Sequence, residues 1–115
     1  KKKQWETAVF AYRDLWAVFP DYEAGVPKFI RSLVAYAREL KRDKRYEDAL
    51  VAADEIISMD AKHFVGLRIR ADCLAALERW EEAVPAYRAA LRVKPRNKDV
   101  RKSYWRARSQ LGKEK

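Results

Sequence analysis

Apolar and polar residues follow one another along this chain with the period of a helix. Leu67, Ala71, Leu74 and Leu77 recur at spacings of four, three and three, and Trp80, Ala83, Val84, Tyr87, Ala90 and Leu91 resume the stripe after a short break. Each stripe predicts an amphipathic helix with its charged residues turned away from the apolar side. The link between them, LERW at residues 77–80, leaves room only for an antiparallel helical hairpin. Ala71 and Ala83, small residues on the facing stripes, let the two backbones approach closely. Alternating Val, Ile and Thr runs are missing, and Gly and Pro number only 3 and 4, so the expected fold class is all-α.

The hairpin is written more than once. Leu33, Ala37, Leu40, Tyr46, Ala49, Leu50 and Ile57 map onto Leu67, Ala71, Leu74, Trp80, Ala83, Val84 and Leu91 at a constant offset of 34, with Arg45 on Arg79 and Glu47 on Glu81. QWETAVFAYRDLWAVFP at residues 4–20 matches RWEEAVPAYRAALRVKP at residues 79–95. The chain therefore reads as a half repeat at 3–20, full repeats at 28–61 and 62–95, and extra residues in the intervening DYEAGVP. Val100, Tyr104, Ala107 and Leu111 predict a closing helix over 98–111, of the kind that caps a helical stack. It fits the first helix of a repeat best at an offset of 33, which takes Arg101 and Trp105 off the packing stripe, and Gly112 is expected to end it as a C-cap.

The repeating two-helix unit, seen in ADCLAALERWEEAVPAYRAALRVKP and AYARELKRDKRYEDALVAADEIISMDA, resembles the tetratricopeptide repeat (TPR) family over nearly the whole chain. The resemblance implies a single domain over 1–115: a right-handed α-solenoid of antiparallel helix pairs, about five helices in all. It also implies a role in protein–protein interaction as a scaffold or adaptor, co-chaperones included, with the first helices lining a groove for a peptide. Carried over by repeat register, the groove residues are Arg31, Val34, Arg38 and Lys41, then Val65, Arg68 and Asp72, and from the last helix Arg101 and Trp105 or Lys102 and Arg106. The sequence departs from the family pattern at Ala61, where Pro is usual, at Ala53, where Tyr87 and Tyr12 supply an aromatic, and at Lys44 and Glu78, where Gly is common before the turn. The Lys and Asn clamp by which some relatives hold a chaperone's acidic C-terminus is not matched by Val34, Arg38 and Ile69.

Charge sharpens this expectation. The net charge is +9, yet residues 92–115 carry 10 Lys/Arg against 2 acids, while residues 1–91 are nearly balanced. A basic groove with a few apolar places suits a partner with an acidic or mixed acidic and apolar segment, because Arg forms paired bonds to carboxylates. The alternative is an adaptor for RNA or an anionic surface that uses the basic last helix, although stacking aromatics there are limited to Tyr104 and Trp105. The apolar face of the half repeat, with Trp5, Val9 and Trp16, lacks its own first helix, so self-association through residues 3–20 is expected, or cover from upstream sequence. The chain begins without Met and reads as a piece of a longer protein.

Candidate chemistry is sparse, and no enzyme activity, cofactor or metal is expected. His63 stands alone in the turn between repeats, where a solvated or backbone-bonded ring is its ordinary place. Cys73 is expected to be a small packed residue, not a reactive thiol, and one Cys with one His does not make a zinc site. Glu47/Asp48 and Glu81/Glu82 open second helices, where negative charge favours the helix N-terminus; Asp54/Glu55 is the third acid pair. Gly25, Gly66 and Gly112 are too scattered for a phosphate loop. Tyr46, Trp80 and Tyr87 fall with Trp5, Tyr12 and Trp16 on packing positions. No apolar run is long enough to span a bilayer, so a soluble cytoplasmic protein without membrane insertion is expected.

Overall fold

The computed structural model describes residues 26–114 together with Phe10, Ala11 and Arg13. The half repeat at 3–20, with Trp5, Tyr12, Trp16 and the self-association surface, otherwise lies outside the described residues. Five helices follow in order: α1 (Val26–Arg42), α2 (Tyr46–Met59), α3 (Phe64–Ala76), α4 (Trp80–Val93) and α5 (Lys98–Glu114). No strand occurs among the described residues. Each helix packs on the next, and α1 also touches α3, so the expected all-α solenoid of helix pairs is the fold. No described helix is long and apolar enough to cross a membrane.

The repeated apolar pattern sets where the helices bury themselves. One core cluster joins Phe29, Leu33, Ala37 and Leu40 of α1 to Ala49, Ala52, Ala53 and Ile56 of α2, with Ile69 and Cys73 of α3. A second joins Leu67, Ala71 and Leu74 of α3 to Ala83, Val84, Ala86, Tyr87 and Ala90 of α4, with Val100 and Ala107 of α5. Helix α3 thus feeds both cores from opposite sides, which leaves it little polar face. Tyr46 and Trp80 pack on these clusters without being fully covered.

Two of the turns are copies of each other. Arg45 N–H donates to Leu40 C=O and Lys44 N–H to Lys41 C=O; Arg79 N–H donates to Leu74 C=O and Glu78 N–H to Ala75 C=O. That pair of bonds is the Schellman ending of a helix, and it needs its next-to-last residue in the left-handed region. Lys44 (φ 63) and Glu78 (φ 59) hold that conformation without being Gly. The other two turns share an N-cap: His63 Nδ1 accepts the Gly66 N–H (3.1 Å), and Asn97 Oδ1, at the same place one repeat later, accepts the Val100 N–H (3.0 Å). His63 is therefore the backbone-bonded ring that its position suggested.

One feature departs from expectation. Gly112 does not end the last helix: it has no positive φ, and α5 runs through it to Glu114. A glycine in ordinary helical conformation with nothing within 4 Å of its Cβ position is no obstacle to another turn. Pro85 sits inside α4, on its exposed side, where it removes one donor from the helical ladder without breaking the helix.

Candidate functional site

Asp72 organises the middle of the predicted groove. Its carboxylate takes Lys41 Nζ from α1 at 2.8 Å on Oδ2 and the Tyr87 hydroxyl from α4 at 2.6 Å on Oδ1, while Arg68 Nε stands 3.8 Å from Oδ2. Three helices are stitched through one partly buried acid. Lys41 and Asp72, both assigned to the groove by register, therefore hold each other, and the charge that remains open toward a partner is carried by the arginines.

Burial, foremost, and then the hydrogen bond and charge of Asp72 push the Tyr87 phenol above its ordinary range, against smaller opposing effects of Ser103 and Arg68. The neighbouring Cys73 is fully buried, and that burial pushes its thiol up to about 11; the nearby Lys41 works against the rise and Asp72 adds to it. A thiol so placed is not a nucleophile at neutral pH.

Arg31 and Arg38 are exposed on α1 and make no ion pair with a described residue. Val34 and Val65 are half-buried and pack on the first core cluster, leaving only part of each side chain to a ligand. On α5 the structure gathers Arg101, Lys102, Trp105 and Arg106, all exposed, on one open face of the helix that Lys98 also edges. Both registers of the last helix thus contribute to one surface. The N-caps keep an offset of 34, but the packing stripe of buried Val100 and Ala107 with half-buried Tyr104 follows 33, a shift of one position that turns Trp105 outward to 57 % exposure.

Two functional features escape the reading of the sequence. The repeat marks Tyr87 as core alone, yet it is also the donor that fixes Asp72. A signal exists: one repeat earlier, Tyr87 becomes Ala53 and Asp72 becomes Arg38, so donor and acceptor are lost together. The second is the convergence of Arg88, Tyr104 and Arg108 beside Trp105, which depends on the rotation of α5.

The acid pairs lie where helix chemistry puts them. Glu47/Asp48 and Glu81/Glu82 occupy the first turns of α2 and α4. Asp54 and Glu55 of α2 pair with Arg70 and Arg13. Among the described residues no group of His, Cys, Asp and Glu is arranged to hold a metal ion.

The chain is similar along its whole length to the DnaJ homolog subfamily C member 7 homolog of Schizosaccharomyces pombe (strain 972 / ATCC 24843), with 30% identity over 115 residues, 100% of this chain and 24% of the relative. It spans about a quarter of the length of the curated relative it matches. A comparison with protein-family models finds no match. The five-helix solenoid is compatible with the likeness to a DnaJ subfamily C protein.

Proposed function

We propose that this chain is a TPR-type protein-interaction module of a co-chaperone-like adaptor, binding an acidic or mixed acidic and apolar segment of another protein, and that it acts as a binder and not as an enzyme. The observation that carries the reading is Trp105, 57 % exposed on a face of α5 edged by Lys98, Arg101, Lys102 and Arg106. An indole left open among cations offers a partner one large apolar contact and several carboxylate contacts on one helix face, the combination found where a few residues dominate binding. Arg31 and Arg38 are further exposed cations, on α1. The likeness to a DnaJ subfamily C protein supports an assignment to protein partners.

The test is titration of acidic peptides, with and without a large apolar residue, against the chain and its variants. Arg38→Glu and Arg101→Glu are each expected to weaken binding by about 1–3 kcal/mol. Trp105→Ala should weaken only the peptide with the apolar residue, and Lys113→Glu should change little at physiological salt. Arg68 is better tested as Arg68→Gln, because a glutamate there would face Asp72.

A second reading, phosphate binding to RNA or another polyanion, is favoured by the 10 Lys/Arg against 2 acids in residues 92–115. It predicts equal losses from all charge reversals, indifference to the apolar residue, and a steep fall of affinity with salt.

A further inference from the structure

Guanidinium groups line the contacts between helices, and a carboxylate closes most of them. Arg70 of α3 donates from Nε to Asp54 Oδ1 of α2 at 2.8 Å. Arg13 holds Glu55 of α2 through two nitrogens, and Arg79 reaches Glu47. Moving one repeat further along the chain takes Asp54 to Arg88, while on α5, whose packing stripe follows an offset of 33, Arg70 falls on Ser103, next to Tyr104. The acid has become a cation, and its former cationic partner has become a neutral serine beside a phenol.

A further cation then joins them. Arg88 Nη2 of α4 and Arg108 Nη1 of α5 each donate to Tyr104 Oη at 3.5 Å, the outer limit of a hydrogen bond. Arg108 also lies over the Trp105 ring, 5.4 Å from its centroid, and Trp105 meets Tyr104 edge-on at 5.2 Å. No described carboxylate pairs with Arg88 or Arg108. Two like charges are thus aimed at one neutral oxygen that balances neither. Because the phenol accepts from both, its own hydrogen remains to donate outward. The Arg88 hydrogen bond, foremost, holds the Tyr104 phenol below its ordinary range, as a locally positive field should.

One carboxylate balances one guanidinium at Asp54 and Arg70; two guanidinium groups call for two negative charges. A phosphate monoester carries about −1.5 to −2 at neutral pH and three strong acceptor oxygens. We propose that Arg88, Tyr104 and Arg108 form a binding site for a dianion of the phosphate-monoester class, with both arginines and the Tyr104 hydroxyl as donors and Trp105 as its wall. The ligand is either free phosphate or a phosphorylated side chain.

The experiment titrates the 115-residue chain with inorganic phosphate, N-acetylphosphoserine amide or acetate at constant ionic strength, following the Trp105 indole N–H and the Tyr104 and Arg108 amides by two-dimensional NMR. Saturable shifts at these signals with a phosphate ligand, and none with acetate, are expected; the tighter of the two phosphate arms identifies the source. Arg88→Gln and Arg108→Gln should each weaken binding about tenfold or more, Tyr104→Phe severalfold, and Lys113→Gln not at all. An equal response to acetate, shifts that never saturate, or the same loss in Lys113→Gln would overturn the site. The shift map of the unsubstituted chain decides the matter even if a variant fails to fold.

Discussion

Asp72 and Cys73 are neighbours on α3 with opposite surroundings: the carboxylate collects Lys41, Tyr87 and Arg68, while the thiol next to it is sealed in the first core cluster. The burial of Cys73 has a thermodynamic consequence. In the unfolded chain the thiol ionises near its ordinary value of 9.0, whereas in the folded chain it holds its proton to about 11. Ionisation therefore favours the unfolded state once the pH passes 9, and the stabilisation present below that value is lost as the pH rises toward 11. Tyr87, also raised, acts in the same direction at higher pH. The unfolding free energy should fall on the order of 2 kcal/mol through this interval on account of Cys73, and urea titrations of Cys73→Ala should show a shallower fall. A thiol reagent at neutral pH should label the native protein only as fast as it opens. Rapid labelling without unfolding would contradict the burial.

At the scale of elements, the turns are where this chain departs from the easiest solution. A residue with a Cβ in the left-handed conformation is disfavoured by about 1 kcal/mol relative to glycine, and Lys44 and Glu78 both stand there to complete Schellman endings. Lys44→Gly and Glu78→Gly should each stabilise the fold, by roughly 0.5 kcal/mol once the greater freedom of glycine in the unfolded chain is subtracted. Gly66 behaves in the opposite sense. A Cβ there would lie 2.7 Å from Cγ2 of Ile56, whose side chain is fully buried and has nowhere to go. Gly66→Ala should cost about 1–3 kcal/mol, and denaturant melts of the three variants would show whether the signs are as stated. The helices themselves were legible in the sequence, since the Leu33/Leu67, Ala37/Ala71 and Leu40/Leu74 pairs place the same apolar stripe twice. Their endings were less so: the missing glycines at positions 44 and 78 were visible, but that the turns keep their shape without them is a matter of backbone hydrogen bonds that composition does not report. Gly112 shows the converse, a glycine at the expected place with no turn. The pairing of Lys41 with Asp72, 31 residues apart, required the approach of α1 to α3. The Arg88, Tyr104 and Arg108 cluster required the one-position rotation of α5.

Across the whole molecule, stability passes from repeat to repeat through α3, which gives Ile69 and Cys73 to one core and Leu67, Ala71 and Leu74 to the other. In a stack of this kind each helix depends chiefly on its neighbours, so the end opens more easily than the middle. Helix α5 is that end among the described residues. It is anchored by fully covered Val100 and Ala107, yet carries the basic open face on its other side. The surface proposed to bind a partner therefore rides on a helix held by one seam. Ala107→Asp should place an unpaired carboxylate in that seam, a large penalty that the chain relieves by releasing α5. Native-state hydrogen exchange should then show lost protection in α5 and in the part of α4 that contacts it, while α1 and α2 keep most of theirs. Binding of the acidic peptide should fall with the protection of α5. Uniform loss of protection from α1 to α5 would instead mean that the five helices open as one cooperative unit, and that the binding surface is as stable as the core beneath it.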